Sequence, residues 1–285
     1  MQIKFENVTA DYQIGPLKNA NVVKDIVLTL PTRSFTAIVG HTGAGKSSLL
    51  KTVNGLLLPS TGSIIVGNTV ITANKEKQAL KKIRKHVGMV FQFPEAQLFA
   101  ETVEKDIQFG PMNFGVSVGE VKERTKQAIY AVGLDEAILK MSPFSLSGGQ
   151  QRRVAIAGVL ATNPDVLLLD EPGAGLDPEG KRGILSMIKK IHVERGLTTI
   201  IVTHDMDDVA KYAEDVVVME KGTIAAHQSV KTFFSDPERL EKWHVELPEA
   251  RKLQLKIERQ TGVKMPDVCL TIDELTEGLI EVGLA

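Results

Sequence analysis

Lys46 and Ser47 close the run Gly40-His41-Thr42-Gly43-Ala44-Gly45-Lys46-Ser47, which fits the pattern G-x-x-x-x-G-K-[S/T]. A triphosphate is a concentrated anion, and this run can cradle one. Its glycines let the backbone curl so that several N–H groups point inward. The N terminus of a following helix adds partial positive charge. Lys46 is expected to reach the outer phosphates and the Ser47 hydroxyl to ligate Mg2+. The expected cradle is Gly40, His41, Thr42, Gly43, Ala44, Gly45, Lys46, Ser47 and Ser48, with the His41 side chain at a free position rather than acting as acid or base.

Two further runs carry chemistry. Val166-Leu-Leu-Leu-Asp170-Glu171 places two carboxylates at the end of a buried apolar strand, the end that faces ligands in open α/β sheets. Asp170 is suited to hold Mg2+, and Glu171 to polarise an attacking water as general base. Leu146-Ser147-Gly148-Gly149-Gln150 ends 16 residues before Val166. A Ser-Gly-Gly turn opening a helix is a second anion-binding nest.

Elements must position these residues. Apolar runs alternating with helical patterns argue for α/β layering on a largely parallel sheet. Strands are expected over 3–9, 22–30, 35–39, 62–66, 87–91, 166–170 and 198–203, with a loop over 11–21. Helices are expected over 46–54, after Gly149, and over 178–194, and a hairpin is expected at Lys221-Gly222. The stretch from Pro94 to Ser145 has few β-branched runs, and 118–132 is amphipathic. It reads as a helical subdomain inserted into the core. From about Ser229 the prolines Pro237, Pro248 and Pro266 punctuate short helices, a C-terminal extension.

Bulk properties exclude several classes. The chain has 285 residues and a formal net charge of −1, which disfavours a strongly basic nucleic-acid binder. The basic run Lys81-Lys-Ile-Arg-Lys85 reads as a solvated helix face. One cysteine, Cys269, permits neither an internal disulfide nor a cysteine-rich metal site. The apolar runs are far shorter than the roughly 20 residues of a membrane helix. No secretory signal is recognisable at the N terminus.

The phosphate loop, the Asp170-Glu171 pair and Leu146–Gln150 together resemble the ABC ATPase family over about residues 1–228. The resemblance implies an α/β P-loop NTPase ABC cassette with a RecA-like mixed sheet core. A helical subdomain over about 94–160 and a helical C-terminal extension over 229–285 complete it. It implies ATP and Mg2+ as ligands and a head-to-tail dimer. Lys46 and Ser47 would hold one ATP, while Ser147, Gly148, Gly149 and Gln150 would face the ATP of the partner. Gln92 matches the glutamine that contacts Mg2+ and water, and His204 the histidine that contacts the γ-phosphate. Ala174-Gly-Leu-Asp177 matches the segment linking the two sites. Gly173 stands where the family often has Thr, with little consequence expected. Tyr12 is the candidate aromatic for stacking on adenine, with ordinary strand packing as its alternative.

Phe91-Gln92-Phe-Pro-Glu-Ala-Gln-Leu-Phe99, Phe109-Gly-Pro-Met-Asn-Phe-Gly and Leu270-Thr-Ile-Asp-Glu-Leu narrow the resemblance to energy-coupling factor (ECF) and cobalt-importer ATPases. That group implies a peripheral subunit on the cytoplasmic face of the cell membrane that powers uptake of vitamins or metal ions. Its partners would be a second, paralogous ATPase, a transmembrane scaffold and a small membrane substrate-binding subunit, with no nucleic acid. Phe93, Leu98 and Phe99 would form the scaffold's socket or else fill the subdomain core. The competing readings are a soluble ABC ATPase of DNA repair or translation and a small-molecule kinase.

Overall fold

The structure, a computed structural model, describes residues 1–14, 17–74 and 77–284. In chain order it has β1 (Ile3–Ile14), β2 (Leu17–Leu30), β3 (Phe35–Val39), α1 (Lys46–Val53), β4 (Thr61–Val66), β5 (Thr69–Ile71), α2 (Lys77–His86) and β6 (Val87–Val90). Then follow α3 (Val103–Asn113), α4 (Val118–Ala131), α5 (Gly148–Leu160), β7 (Val166–Asp170), α6 (Pro178–Arg195), β8 (Thr198–Val202), α7 (Met206–Tyr212), β9 (Asp215–Glu220) and β10 (Thr223–Ser229). Four helices complete the chain: α8 (Val230–Ser235), α9 (Pro237–Lys242), α10 (Glu249–Thr261) and α11 (Ile272–Glu281).

Two sheets form. One has six strands in the order β10-β9-β3-β8-β7-β6, parallel except for the antiparallel edge strand β10. Every residue of β3, β6, β7 and β8 is buried, as expected of a parallel sheet covered on both faces. The other is antiparallel, with the order β2-β1-β4-β5. Between them lies one apolar core, into which α1 places Leu49, Leu50 and Val53. A second core fills the opposite face of the six-stranded sheet with Val103, Ile107, Ile129, Val154, Ile156 and Ile188 from the flanking helices.

The helix starts are written locally. Asp177 caps α6 by accepting from the Gly180 N–H, Pro178 occupies the first turn, and Gly196 ends the helix in the left-handed region. Ser147 and Gln150 form a reciprocal capping box at the start of α5.

The structure departs from expectation at the first hairpin. The expected loop over 11–21 is largely ladder: β1 runs to Ile14, β2 starts at Leu17, and Tyr12 pairs with Asn19. Polar residues there break the apolar alternation, but main-chain pairing needs no apolar side chain. β5 and α7 are additions that the apolar pattern did not announce.

Beyond β10, the chain divides its packing. Phe233, Phe234 and Leu240 join the helix-side core, with Trp243 and Leu247 against it. The helices α10 and α11 build a small cluster of their own from Ala250, Met265, Cys269 and Leu275. Cys269 is buried there. Gln254 stitches that cluster, donating to the Asp267 carbonyl at 2.7 Å and accepting from the Cys269 N–H at 2.8 Å.

Candidate functional site

The loop between β3 and α1 owes its shape to two close approaches. A Cβ at Gly40 (φ +142°) would lie 2.2 Å from the Met219 carbonyl oxygen, and one at Gly45 (φ +101°) 2.4 Å from that of Val22. Only glycine fits either position. The β9–β10 turn fastens the loop from outside, the Gly222 N–H donating to the Ala44 carbonyl at 3.0 Å. Gly45 precedes α1 with no side chain to cap it, so the first-turn N–H groups are free to bind an anion. Lys46 Nζ lies over the loop, donating to the carbonyls of Gly40 at 2.7 Å and His41 at 3.0 Å. Burial lowers the Lys46 pKa, against the opposing charges of Glu171 and Asp170. His41 is exposed, its ring turned back onto the Thr42 carbonyl at 2.7 Å.

Ser47 Oγ donates to Asp170 Oδ1 at 2.9 Å across 123 residues of sequence. Burial raises the Asp170 pKa; the Ser47 bond opposes that shift and the neighbouring Glu171 adds to it. Two hard oxygen ligands side by side, one a buried carboxylate, form a donor set suited to a small divalent cation. Glu171 follows with a backbone φ of +48°, held by its N–H to the Val202 carbonyl at 3.0 Å. Its Oε1 lies 3.4 Å from Nδ1 of His204, whose side chain is 77% exposed. Gln92, two residues beyond β6, lines the same cavity as Glu171 and His204.

Tyr12 stands beside α1. Its hydroxyl accepts from Ser48 Oγ and from Lys51 Nζ, each at 3.4 Å. Ser147, Gly148 and Gly149 are exposed at the start of α5. Among the described residues no hydrogen bond or ion pair joins Ser147–Gln150 to Lys46, Ser47, Asp170 or Glu171. The structure thus brings Tyr12, the phosphate loop, Asp170, Glu171, Gln92 and His204 to one region and leaves the Ser-Gly-Gly turn apart.

A family model described as ABC transporter matches residues 23–174, more than half of the chain. The energy-coupling factor transporter ATP-binding protein EcfA2 of Bacillus cereus is 49% identical over 99% of this chain and 96% of its own length. This chain belongs to the ABC transporter ATPases. The EcfA2 protein of Listeria monocytogenes is 51% identical over 97% of the chain and 96% of its own. Among solved structures, cbiO1 from Clostridium perfringens, described as part of the ABC transporter complex cbiONQ, superposes with a TM-score of 0.74. It is 34% identical and covers 92% of this chain and 98% of its own. The dimeric cassette MJ0796, bound to ADP and Pi, gives a TM-score of 0.70 at 28% identity over 80% of this chain and 98% of its own. The α/β cassette fold and the ATP-hydrolysing class follow from this membership.

Several residues of this ABC cassette escaped sequence reasoning. Arg152, on the buried side of α5, makes a two-pronged ion pair with Glu95 at 2.7 and 2.9 Å. The same guanidinium donates to the carbonyls of Pro172 and Ala174 at 3.2 and 2.8 Å. One side chain therefore ties the Gln92–Glu95 stretch, the helix behind Ser147 and the segment after Glu171. The available signal was an arginine on the same helix as the buried Val154, Ile156 and Ala157. The C-terminal extension also reaches the site. A cavity of about 410 Å³ is lined by His41, Thr42 and His204 on one side and by His244, Leu247 and Lys252 on the other.

Beside the Gln92 segment runs an apolar groove of about 340 Å³ whose walls include Leu56, Met89, Phe99, Phe109 and Val159. The rings of Phe99 and Phe109 meet edge to face at 4.9 Å and remain 59% and 51% exposed. Phe93 is 46% exposed, whereas Leu98 is buried and belongs to the core.

Proposed function

We propose that this chain is one of two ATPase subunits of an energy-coupling factor importer. On this reading it works on the cytoplasmic face of the membrane beside a paralogous ATPase, a transmembrane scaffold and a small substrate-binding membrane protein. The observation that carries the reading is the exposed aromatic groove next to Gln92. A patch of this kind fits an amphipathic helix of a partner. Among the described residues no helix is long and apolar enough to cross a membrane, so the transport path would come from other chains. The full-length likeness to proteins named energy-coupling factor ATP-binding subunits supports the same assignment.

In this mechanism ATP lies on the first-turn N–H groups of α1, with Lys46 against the outer phosphates and Tyr12 stacked on the base. Ser47 and Asp170, with Gln92 from the cavity it shares with Glu171, would hold Mg2+, which would supply neutralisation of the phosphate charge. Glu171 accepts the proton of the attacking water. His204 donates to the γ-phosphate and keeps the imidazole close to that carboxylate. The Ser147–Gln150 turn, exposed and unused by the chain's own site, closes over the partner's nucleotide. Closure excludes water from both sites and carries the Gln92–Glu95 stretch along with the Ser147 turn, because Arg152 of α5 is bonded to Glu95.

Purifying the tagged chain from gently solubilised membranes tests the assignment. A second ATPase, a membrane scaffold and small multi-helix membrane proteins should co-purify. Recovery of ribosomal or DNA-repair partners alone would overturn it. Replacing Phe99 with Asp should reduce scaffold recovery by about tenfold or more, since a hot-spot aromatic carries 2 kcal/mol or more. ATP binding by the isolated chain should be unchanged; full scaffold recovery would remove the groove from the interface. A bulky Ser147→Trp change should suppress turnover at the partner's site while leaving nucleotide affinity at this chain's own loop intact. Matching losses at both sites would contradict the head-to-tail arrangement.

A further inference from the structure

Gly173 lies between the general base Glu171 and the segment that ends at Asp177. A Cβ there would meet Lys181 Cγ at 2.7 Å and Cδ and Cε at 3.3 and 3.4 Å. The stem of Lys181 therefore lies flat across residue 173, in room that a side chain would take. Lys181 itself sits on the first turn of α6, its N–H bonded to the Asp177 carbonyl at 2.9 Å. Its ammonium pairs with Asp205 and, at 2.6 Å, with Asp208. Only 23% of the lysine side chain and 12% of that of Asp208 are exposed, so this is not a solvated surface pair.

Asp205 directly follows His204. Its Oδ1 accepts from the N–H groups of Asp207 at 2.9 Å and Asp208 at 3.2 Å, capping α7. Its own N–H donates to Thr203 Oγ1 at 3.1 Å. Among the described residues His204 has no comparable anchor, its one ionic contact being Glu171. Its placement is therefore set by the residues on either side of it. Lys181 is the cross-link from those residues to the segment that follows Glu171.

We propose that Lys181 is a positioning residue for ATP hydrolysis: lying over Gly173 and paired with Asp205 and Asp208, it fixes His204 relative to Glu171 and the 174–177 segment. This rests on the role assigned above to His204. A histidine displaced from the γ-phosphate by a fraction of an ångström leaves ATP binding on the phosphate loop intact and slows only the chemical step. Gly173 is part of the same device, because a Cβ there would press on the stem of the lysine at 2.7 Å, and a larger side chain is expected to shift it.

Steady-state ATPase measurements on the assembled complex test this. Lys181→Met should lower kcat by about tenfold to a hundredfold with KM for ATP changed less than about twofold. Lys181→Arg should restore most of the rate, since the cation and its reach are kept. Gly173→Thr should reproduce the Met phenotype, and the Gly173→Thr/Lys181→Met double variant should be no slower than either single one, as expected when both remove one interaction. ATP affinity and melting temperature of each variant establish that it is folded. If Lys181→Met and Gly173→Thr turn over normally while His204→Ala is inactive, Lys181 has no positioning role and the reading of His204 stands. If both variants lose ATP affinity and melting temperature together and Lys181→Arg does not rescue, the pair is structural only and the proposal is overturned. His204→Ala at full rate would instead remove the underlying assignment of the histidine.

Discussion

Glu171→Gln lowers ATP turnover of the assembled complex by about a hundredfold to ten-thousandfold, the range over which a positioned general base acts. The amide keeps the size and hydrogen-bonding reach of the carboxylate but is far too weak a base to take a proton from water. Nothing that grips the nucleotide changes. Lys46 still lies over the loop, Ser47 still meets Asp170, and the main-chain anchor from the Glu171 N–H to Val202 needs no side chain. ATP should therefore bind as before and, unhydrolysed, accumulate in a closed dimer. Light scattering with ATP present would register the dimer, and an enzyme-coupled assay the lost rate. Normal turnover by this variant, in the presence of its ATPase partner, would take the base assignment away from Glu171.

Arg152→Met is expected to have the largest effect on stability. The guanidinium is 2% exposed and satisfies both oxygens of Glu95 and two main-chain carbonyls. Removing it leaves a partly buried carboxylate and two carbonyls unpaired, and breaking a buried pair in this way destabilises by about 3 kcal/mol or more. Urea denaturation of the isolated chain measures it. A loss near 0.5 kcal/mol, about the value of a surface pair, would mean that solvent replaces the arginine. Burial alone would raise the Glu95 pKa, but the Arg152 bonds, a backbone hydrogen bond and the Arg152 charge together more than offset it and hold the carboxyl below its usual value. A carboxyl with a lowered folded pKa contributes stability above its unfolded pKa and loses it as pH falls through the folded value. The Arg152→Met penalty should therefore be full at neutral pH and shrink only in acid below the ordinary carboxylate pKa.

The parts of this site legible in sequence are those whose chemistry is contiguous. The phosphate loop, Asp170-Glu171 and Ser147–Gln150 each occupy a short run, and strand ends and helix starts place them without long-range information. Gln92 and His204 were legible through the family resemblance, each matching a family position just beyond a buried strand. Arg152 and Lys181 were not, since their partners stand 57 residues away at Glu95 and 24 away at Asp205. A single basic residue on a helix gives no hint that it is buried against a distant carboxylate. The space beside Gly173 was equally hidden: the side chain that fills it comes from Lys181, one turn into the next helix. The β1–β2 ladder was underestimated because main-chain pairing continued where the apolar alternation stopped.

The helix α10 has no start signal of its own. Pro248 precedes it with no side-chain cap, and the first N–H, that of Glu249, donates instead to Asp207 Oδ1 of α7 at 2.9 Å. Asp207 stands three residues after His204. In modular terms, the C-terminal extension is not a self-contained part to be exchanged freely between cassettes. A chimera that grafts it onto a related ATPase needs an acceptor at the position of Asp207. Without one, the graft keeps its small core of Met265, Cys269 and Leu275 but loses the first turn by which it meets the catalytic loop.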